Sequence, residues 1–532
     1  MTVRAIAALL LLNAAFVFNN LWPTPWIWPD LRVSPELVLG WCALLVWLRV
    51  AGPPGERALS LAAVAAAALA FGRYADVTVR GLFGRPVNLY WDGQQIPTFL
   101  SVSAGGFALL QAAAVVAVAA LAVWALFRGM KMLVRVVVRD AAPAALRSPV
   151  ALAATALLLV SVLANYAGVS ATWSYVSRPV LPAYTRQAAV LMDALQPGRA
   201  QAALPASPAF DGNLAGLRGA DLTLLFVESY GAVAFDDPAI RARLEQARAA
   251  MARGIADSGR RVVSAFVRSP TFAGGSELAH LGLLSGIDLQ DPLRHDLLLT
   301  SDRSTLVGFF RSQGYETFGL YPALSWNWPE RAFYGFDVFL DGSDLGYEGP
   351  KLGYWSIPDQ FTIARFERLH PLRPDTPPRL LFFPTITSHA PFRPVPPYQP
   401  DWERLLTPHP YDEPDLARAR AERVDWLDLH EPYGRMLAYT QTWLGGWLAR
   451  PRSRPETVVI LGDHQPAGSV SGPDARWDVP VHVVSADPAL LVRLQALGFV
   501  SGLEPPAAPI GAMHELTAML LDVFDGRGLS GR

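Results

Sequence analysis

Five apolar runs crowd the first third of the chain: roughly Ala5–Trp22, Leu37–Val50, Ala58–Gly72, Phe107–Phe127 and Val150–Ala167. Within lipid the backbone must satisfy its own hydrogen bonds, and about 20 consecutive apolar residues cross a bilayer as one helix. The runs therefore predict an α-helical transmembrane bundle of about five helices, the second and third being short. Charge supports this. Arg4, Arg49, Arg57, Arg128, Lys131, Arg135, Arg139 and Arg147 fall on one side of such a bundle, and only Arg32, Arg73, Arg80 and Arg85 on the other. The basic side is cytoplasmic by the positive-inside bias, so five crossings place everything after Gly168 outside. A cleaved signal peptide is the rival for the first run, but Asn19-Asn20-Leu21-Trp22-Pro23 lacks a small-residue cleavage pattern. Trp22, Trp26, Trp28, Tyr90 and Trp91 fall in the outer loops, at the level where aromatic rings rest among lipid headgroups. Met130–Val138 reads as a basic, amphipathic segment that sets topology.

Composition restricts what the chain acts on. Hydrophobic residues make up 52% and charged ones 17%, and the net charge is −1, so nothing points to nucleic acid; lipids or small phosphorylated molecules suit this balance better. The single cysteine, Cys42, lies in an apolar run. Any metal in the second half is therefore held by Asp, Glu, His and hydroxyls.

Past Gly168 the chain reads first as an interfacial amphipathic linker, 169–211, broken by Pro179 and Pro182, and then as a domain over 212–532. Short apolar runs, Leu222–Val227, Arg261–Phe266, Thr317–Leu320, Leu380–Pro384, Val458–Leu461 and Val481–Val484, alternate with helical patterns such as Asp237–Ser258, Ser304–Gln313 and Pro432–Ala449. That alternation predicts an α/β domain with a largely parallel central sheet, whose functional groups gather at the strands' carboxyl ends.

Three strands end in chemistry. The first runs into Glu228-Ser229-Tyr230, the fourth into Thr385-Ile386-Thr387-Ser388-His389, and the fifth into Gly462-Asp463-His464-Gln465. Ser276 follows Gly274-Gly275 at the mouth of an apolar helix, where it reads as the N-cap and where a hydroxyl can attack phosphorus. Glu228, Asp463, His464 and the Ser276 oxygen form an O/N donor set suited to zinc, or to manganese with added water. Each also has a purely structural reading: Ser276 and Glu228 as helix caps, Asp463 as an Asx turn, His389 as a satisfied loop histidine. His280, one turn after Ser276 on the same helix face, can touch substrate or be a satisfied helix histidine.

The succession Val227-Glu228-Ser229-Tyr230, Thr271-Phe272-Ala273-Gly274-Gly275-Ser276-Glu277-Leu278-Ala279-His280, Thr387-Ser388-His389-Ala390-Pro391-Phe392 and Leu461-Gly462-Asp463-His464-Gln465-Pro466 resembles the sulfatase-like membrane transferases of the alkaline phosphatase superfamily. Among them it is most similar to the lipoteichoic acid synthase and phosphoglycerol transferase branch. That branch also carries five membrane helices before an extracytoplasmic domain. The resemblance implies metal ligation by Glu228, Asp463, His464 and Ser276, a nucleophile at Ser276 where the branch usually has threonine, and His389 beside the attacked phosphate. It also points to a phosphate contact from Arg331, displaced in Trp326-Asn327-Trp328-Pro329-Glu330-Arg331 relative to the branch's Trp-Asn-Arg-Asp stretch; His280 and Asp359, the latter either structural or part of the site wall, are the further candidates for substrate contact.

The activity so implied is transfer of phosphoglycerol or phosphoethanolamine from a membrane phospholipid donor to a glycan or lipid acceptor, at the outer face of a bacterial inner membrane. The alternative is an anchored phosphodiesterase or sulfatase-like hydrolase, the sulfatase version lacking the Cys/Ser-x-Pro-x-Arg segment that matures to formylglycine. A scaffold or sensor with a dead site is a third reading, opposed by the complete donor set.

Overall fold

The computed structural model describes residues 2–22, 24–90, 92–93, 108–167, 175–196, 204–324, 331–353, 355–373, 375–426, 428–472 and 474–526. Trp91, residues 169–174 of the expected linker and the Trp326–Glu330 stretch lie outside them. The chain divides into two units, Met1–Gln196 and Pro197–Arg532.

In the first unit the apolar runs become α1 (Val3–Phe16), α2 (Pro35–Val50), α3 (Glu56–Phe83), α4 (Ala108–Val136) and α5 (Pro149–Tyr166). Thr2, Ser34 and Ser148 start three of them by accepting from the amides of Ala5, Leu37 and Ala151. Among the described residues three helices are long and apolar enough to cross a membrane: Glu56–Phe83, Val116–Leu146 and Pro149–Tyr166. Two of the expected five fall short of that length. At 1.5 Å per residue, α1 with 14 residues and α2 with 16 reach roughly 21 and 24 Å, short of a hydrocarbon core of about 30 Å.

The third helix, in contrast, runs past the expected end at Gly72. Arg73 is buried with its Nε donating to the Phe18 carbonyl (2.9 Å), and Arg80 Nε donates to Asp76 Oδ1 one turn back (3.0 Å), so charge did not stop the helix. Two short strands, β1 (Phe18–Asn20) and β2 (Ile27–Pro29), pair antiparallel after α1. The buried carboxylate of Glu36 accepts from Ser34 Oγ and from the amides of Val180 and Leu181, which fastens α6 (Leu181–Ala194) to the start of α2.

Among the described residues the second unit is built on nine strands: β3 (Asp221–Val227), β4 (Arg261–Arg268), β5 (Glu316–Tyr321), β6 (Val338–Asp341), β7 (Arg379–Pro384), β8 (Glu456–Gly462), β9 (Asp478–Ser485), β10 (Val500–Ser501) and β11 (Pro509–Ala512). Their order is β10-β4-β9-β8-β3-β7-β5-β6, with β11 pairing β4. The sheet is mixed rather than largely parallel. From β8 to β6 all pairings are parallel, whereas β9 runs against both β8 and β4, and β10 against β4. All seven residues of β3 are buried, as expected for a central strand covered on both faces.

Two helices on one face, α7 (Pro238–Asp257) and α10 (His430–Leu448), cross at glycines. A Cβ on Gly254 would lie 2.4 Å from the Gly445 carbonyl oxygen, and one on Gly445 would lie 2.9 Å from Met251 Cα. At the strands' amino ends, buried Asp221 receives Arg454 through Nε (2.7 Å) and a terminal nitrogen (2.6 Å) and the amide of Arg379 (2.8 Å), tying β3, β7 and the entry to β8 together.

Candidate metal and nucleophile site

Register sets the geometry at the other end of the sheet. Val227 pairs with Gly462, so the next residues, Glu228 and Asp463, leave β3 and β8 side by side. Phe226 pairs with Pro384, which brings the loop after β7 to the same edge. There Thr385 Oγ1 accepts from the Glu228 amide (3.1 Å) and Ser388 Oγ donates to the Glu228 carbonyl (2.7 Å). The loop after β4 arrives from the far side of β9, with Ser269 Oγ donating to the Asp463 carbonyl (2.6 Å) and the Ala273 amide to the Gln465 carbonyl (3.0 Å).

Glu228, Asp463 and His464 are buried, and one donor atom from each lies within 4.8 Å of the others. His464 Nε2 is 3.5 Å from Glu228 Oε1 and 3.6 Å from Asp463 Oδ2. Its Nδ1 lies 2.8 Å from the Gln465 carbonyl, an acceptor only, so Nδ1 carries the proton and Nε2 turns a lone pair toward the two carboxylates. Asp463 Oδ1 accepts from the amides of Ser229 and His464, both at 2.7 Å, which leaves Oδ2 toward the cluster.

Burial and the neighbouring Glu228 push the Asp463 carboxyl up to about 6. Burial opposes a charged His464 ring, but Asp463 and Glu228 outweigh it and raise the imidazole above its ordinary value. Two buried carboxylates facing one imidazole lone pair is a donor set that fits a divalent cation, which would remove the repulsion holding Asp463 high.

Ser276 completes the cluster. Its Oγ lies 3.2 Å from both Glu228 Oε2 and His464 Nε2. It does not cap α8 (Ser276–Ser285): the N-cap is Gly275, at φ 74°, with no side-chain cap bond. The expectation that Ser276 is the N-cap is thereby corrected. Left-handed Gly275 starts the helix one residue earlier and turns the serine hydroxyl to the carboxylates.

The remaining candidates are placed differently. His389 follows Ser388, and its Nδ1 lies 2.7 Å from the Ala390 carbonyl; burial lowers its pKa, so the ring is neutral near pH 7. Asp359 is fully buried at the start of α9 (Asp359–Leu369), with Oδ1 accepting from the Ile386 amide (2.9 Å) and Oδ2 from the Thr387 amide (2.8 Å). Its carboxylate ties the start of α9 to the loop that carries His389.

His280 packs its ring against Phe226 (4.7 Å) and Phe382 (5.7 Å), and burial takes it down to about 4. Arg331 is exposed, its guanidinium 5.7 Å over Phe339 at a cavity of about 380 Å³ shared with Phe336 and Asp337. Sequence reasoning passed over Ser229. It is a non-glycine residue at φ 57° whose Oγ donates to Glu228 Oε1 (2.7 Å) while its carbonyl accepts from Tyr433 Oη (2.9 Å). Its place directly after Glu228 was the available signal, as Ser388 directly before His389 was for the second loop.

Residues 285–480 match the family model described as Sulfatase. The match contains Asp359, His389, Asp463 and His464 and stops short of Glu228 and Ser276. No match is found among curated proteins. Similar solved structures include a protein in the alkaline phosphatase superfamily from Vibrio parahaemolyticus, at 15% identity over 62% of this chain and 73% of that one, with a TM-score of 0.37. The lipoteichoic acid synthase LtaP from Listeria monocytogenes is similar at 13% identity over 59% and 73%, TM-score 0.36. The Streptococcus pyogenes phosphoglycerol transferase GacH in complex with sn-glycerol-1-phosphate is similar at 14% identity over 64% and 91%, TM-score 0.33.

Proposed function

We propose that this chain is a membrane-anchored, metal-dependent phosphotransferase of the sulfatase-like type, moving phosphoglycerol or phosphoethanolamine from a membrane phospholipid to a hydroxyl of a glycan or another lipid. The observation that carries the reading is Ser276 Oγ, 3.2 Å from both Glu228 Oε2 and His464 Nε2 and not engaged in capping its helix. In this reading Glu228, Asp463, His464 and Ser276 hold one divalent ion, zinc or manganese. Such an ion, when bound, lowers the pKa of a serine hydroxyl and neutralises charge on phosphate oxygens.

In this reading His389, whose ring burial keeps neutral, is the proton carrier. Ser276 Oγ forms a bond to phosphorus as the phosphorus–oxygen bond to diacylglycerol breaks. The serine proton passes through His389 to the departing oxygen, which leaves as the diacylglycerol hydroxyl. The acceptor hydroxyl then attacks the same phosphorus, and its proton returns through His389 to the released Ser276 oxygen. The positive N-terminal end of α8 favours the anionic phosphorus centre throughout. Helices long enough to cross a membrane support a lipid-borne donor; the reading places the enzyme in a bacterial inner membrane with the domain over about 212–532 on the extracytoplasmic side.

The test is full-length protein in liposomes of phosphatidylglycerol or phosphatidylethanolamine. Diacylglycerol release is expected to depend on an added acceptor that becomes labelled with the headgroup. If free glycerol phosphate or ethanolamine phosphate accounts for all turnover under every acceptor condition, the protein is instead an anchored phosphodiesterase.

A further inference from the structure

One end of the first unit gathers the start of α1 and the close of α4 with its continuation around a cavity of about 590 Å³. Arg4, Arg128, Lys131, Arg135 and Arg139 line it, with Asp140 the acidic member. Four of these recur at helical spacing on one face of α4 and its continuation, and Arg4 is brought in from α1. Glu56 adds a second carboxylate, 2.5 Å from Arg135, 3.5 Å from Lys131 and 3.8 Å from Arg139. Five cations against two carboxylates leave an excess of about three positive charges. The Nε of Arg135 is buried and has no hydrogen-bond partner.

A second cavity, about 630 Å³, shares Arg139 and Glu56 with this region and is otherwise apolar, lined by Leu48, Leu59, Val138 and Leu146. A topology signal requires only that charges lie at this end, as Arg49 and Arg57 do without lining the basic cavity. It does not require five of them to converge on one hollow beside an apolar one.

We propose that the paired cavities bind an acidic phospholipid, its phosphates among Arg4, Arg128 and Arg135 and an acyl chain along Leu48, Leu59 and Leu146. The site lies wholly in the first unit and is independent of the chemistry at Ser276. The charge excess favours a lipid with two phosphates, cardiolipin, over one with a single phosphodiester.

The test uses full-length protein carrying Ser276→Ala, so that no lipid is turned over, delipidated in detergent and titrated with cardiolipin, phosphatidylglycerol or phosphatidylcholine while bound lipid is counted by native mass spectrometry. Cardiolipin is expected to bind at least about 10-fold more tightly than phosphatidylcholine, with phosphatidylglycerol between them. Arg4→Gln with Arg128→Gln should weaken cardiolipin by about 30-fold, at roughly a factor of five per charge, and Arg49→Gln with Arg57→Gln by less than about threefold. Equal binding of phosphatidylcholine overturns the proposal, a result that needs no variant to fold. Equal loss in the two double variants overturns it too. Displacement of the lipid by an equal concentration of free glycerol 3-phosphate would make the occupant a soluble phosphate ester and end the lipid reading.

Discussion

Asp463 carries a charge that its surroundings resist: it is buried, Glu228 stands beside it, and its carboxyl is pushed up to about 6. A carboxyl raised in the fold contributes stability below its unfolded value and loses it as pH rises through the folded one. The metal-free protein should therefore forfeit up to about 3 kcal/mol from this group between about pH 4 and pH 6. A divalent ion reverses the sign, because it binds the deprotonated donors. The rise in melting temperature on adding zinc or manganese should accordingly be several degrees larger at about pH 7.5 than at about pH 5, and Asp463→Asn should abolish it. An equal rise at both pH values would detach the metal from these carboxylates. Ser276→Ala removes one oxygen from the cluster and leaves Glu228, Asp463 and His464 in place. Metal content should largely survive while turnover falls at least about 10³-fold. Ser276→Thr keeps the hydroxyl and should stay within about 10-fold of the parent.

At the scale of elements, what the sequence could reveal depended on burial. The buried strands β3, β5, β7 and β8 lie within two residues of their apolar runs, because a strand covered on both faces has to be apolar throughout. β6 and β11, half-exposed, and β10, exposed, gave no such signal. Strand direction was also hidden: β9 is as apolar as β8 but runs against it, and periodicity does not name a partner. For the site, Glu228, Asp463 and His464 were legible as polar residues ending apolar runs. The hydroxyl of Ser229 acts on its chain neighbour Glu228, whereas those of Ser269, Thr385 and Ser388 act across loops from separate strands that only the folded sheet brings together. The α7–α10 crossing gives this scale its own prediction. Gly254→Ala would set a methyl 2.4 Å from the Gly445 carbonyl oxygen, in backbone that cannot step aside, and should cost about 1–3 kcal/mol in thermal unfolding with metal content per folded molecule unchanged. An unshifted melting temperature would show that the two helices do not pack so closely.

Taken whole, the molecule joins a unit with, among the described residues, three helices long and apolar enough to cross a membrane to a unit whose sheet carries the cluster at its carboxyl edge. The collection of Arg and Lys at one end of the first unit sets an expected orientation. Alkaline phosphatase fused after Arg186 should be active and a fusion after Arg135 inactive; the reverse pattern would place the cluster on the wrong side for an extracytoplasmic donor. The central claim, that Ser276 carries the headgroup between donor and acceptor, is tested most directly by mass. Full-length protein incubated with phosphatidylglycerol and no acceptor, quenched in acid and digested, should show a phosphoglycerol increment on the peptide containing Ser276, and the increment should vanish on adding a competent acceptor. Diacylglycerol release with that peptide unmodified at every time point, or the same increment in Ser276→Ala, would contradict the account.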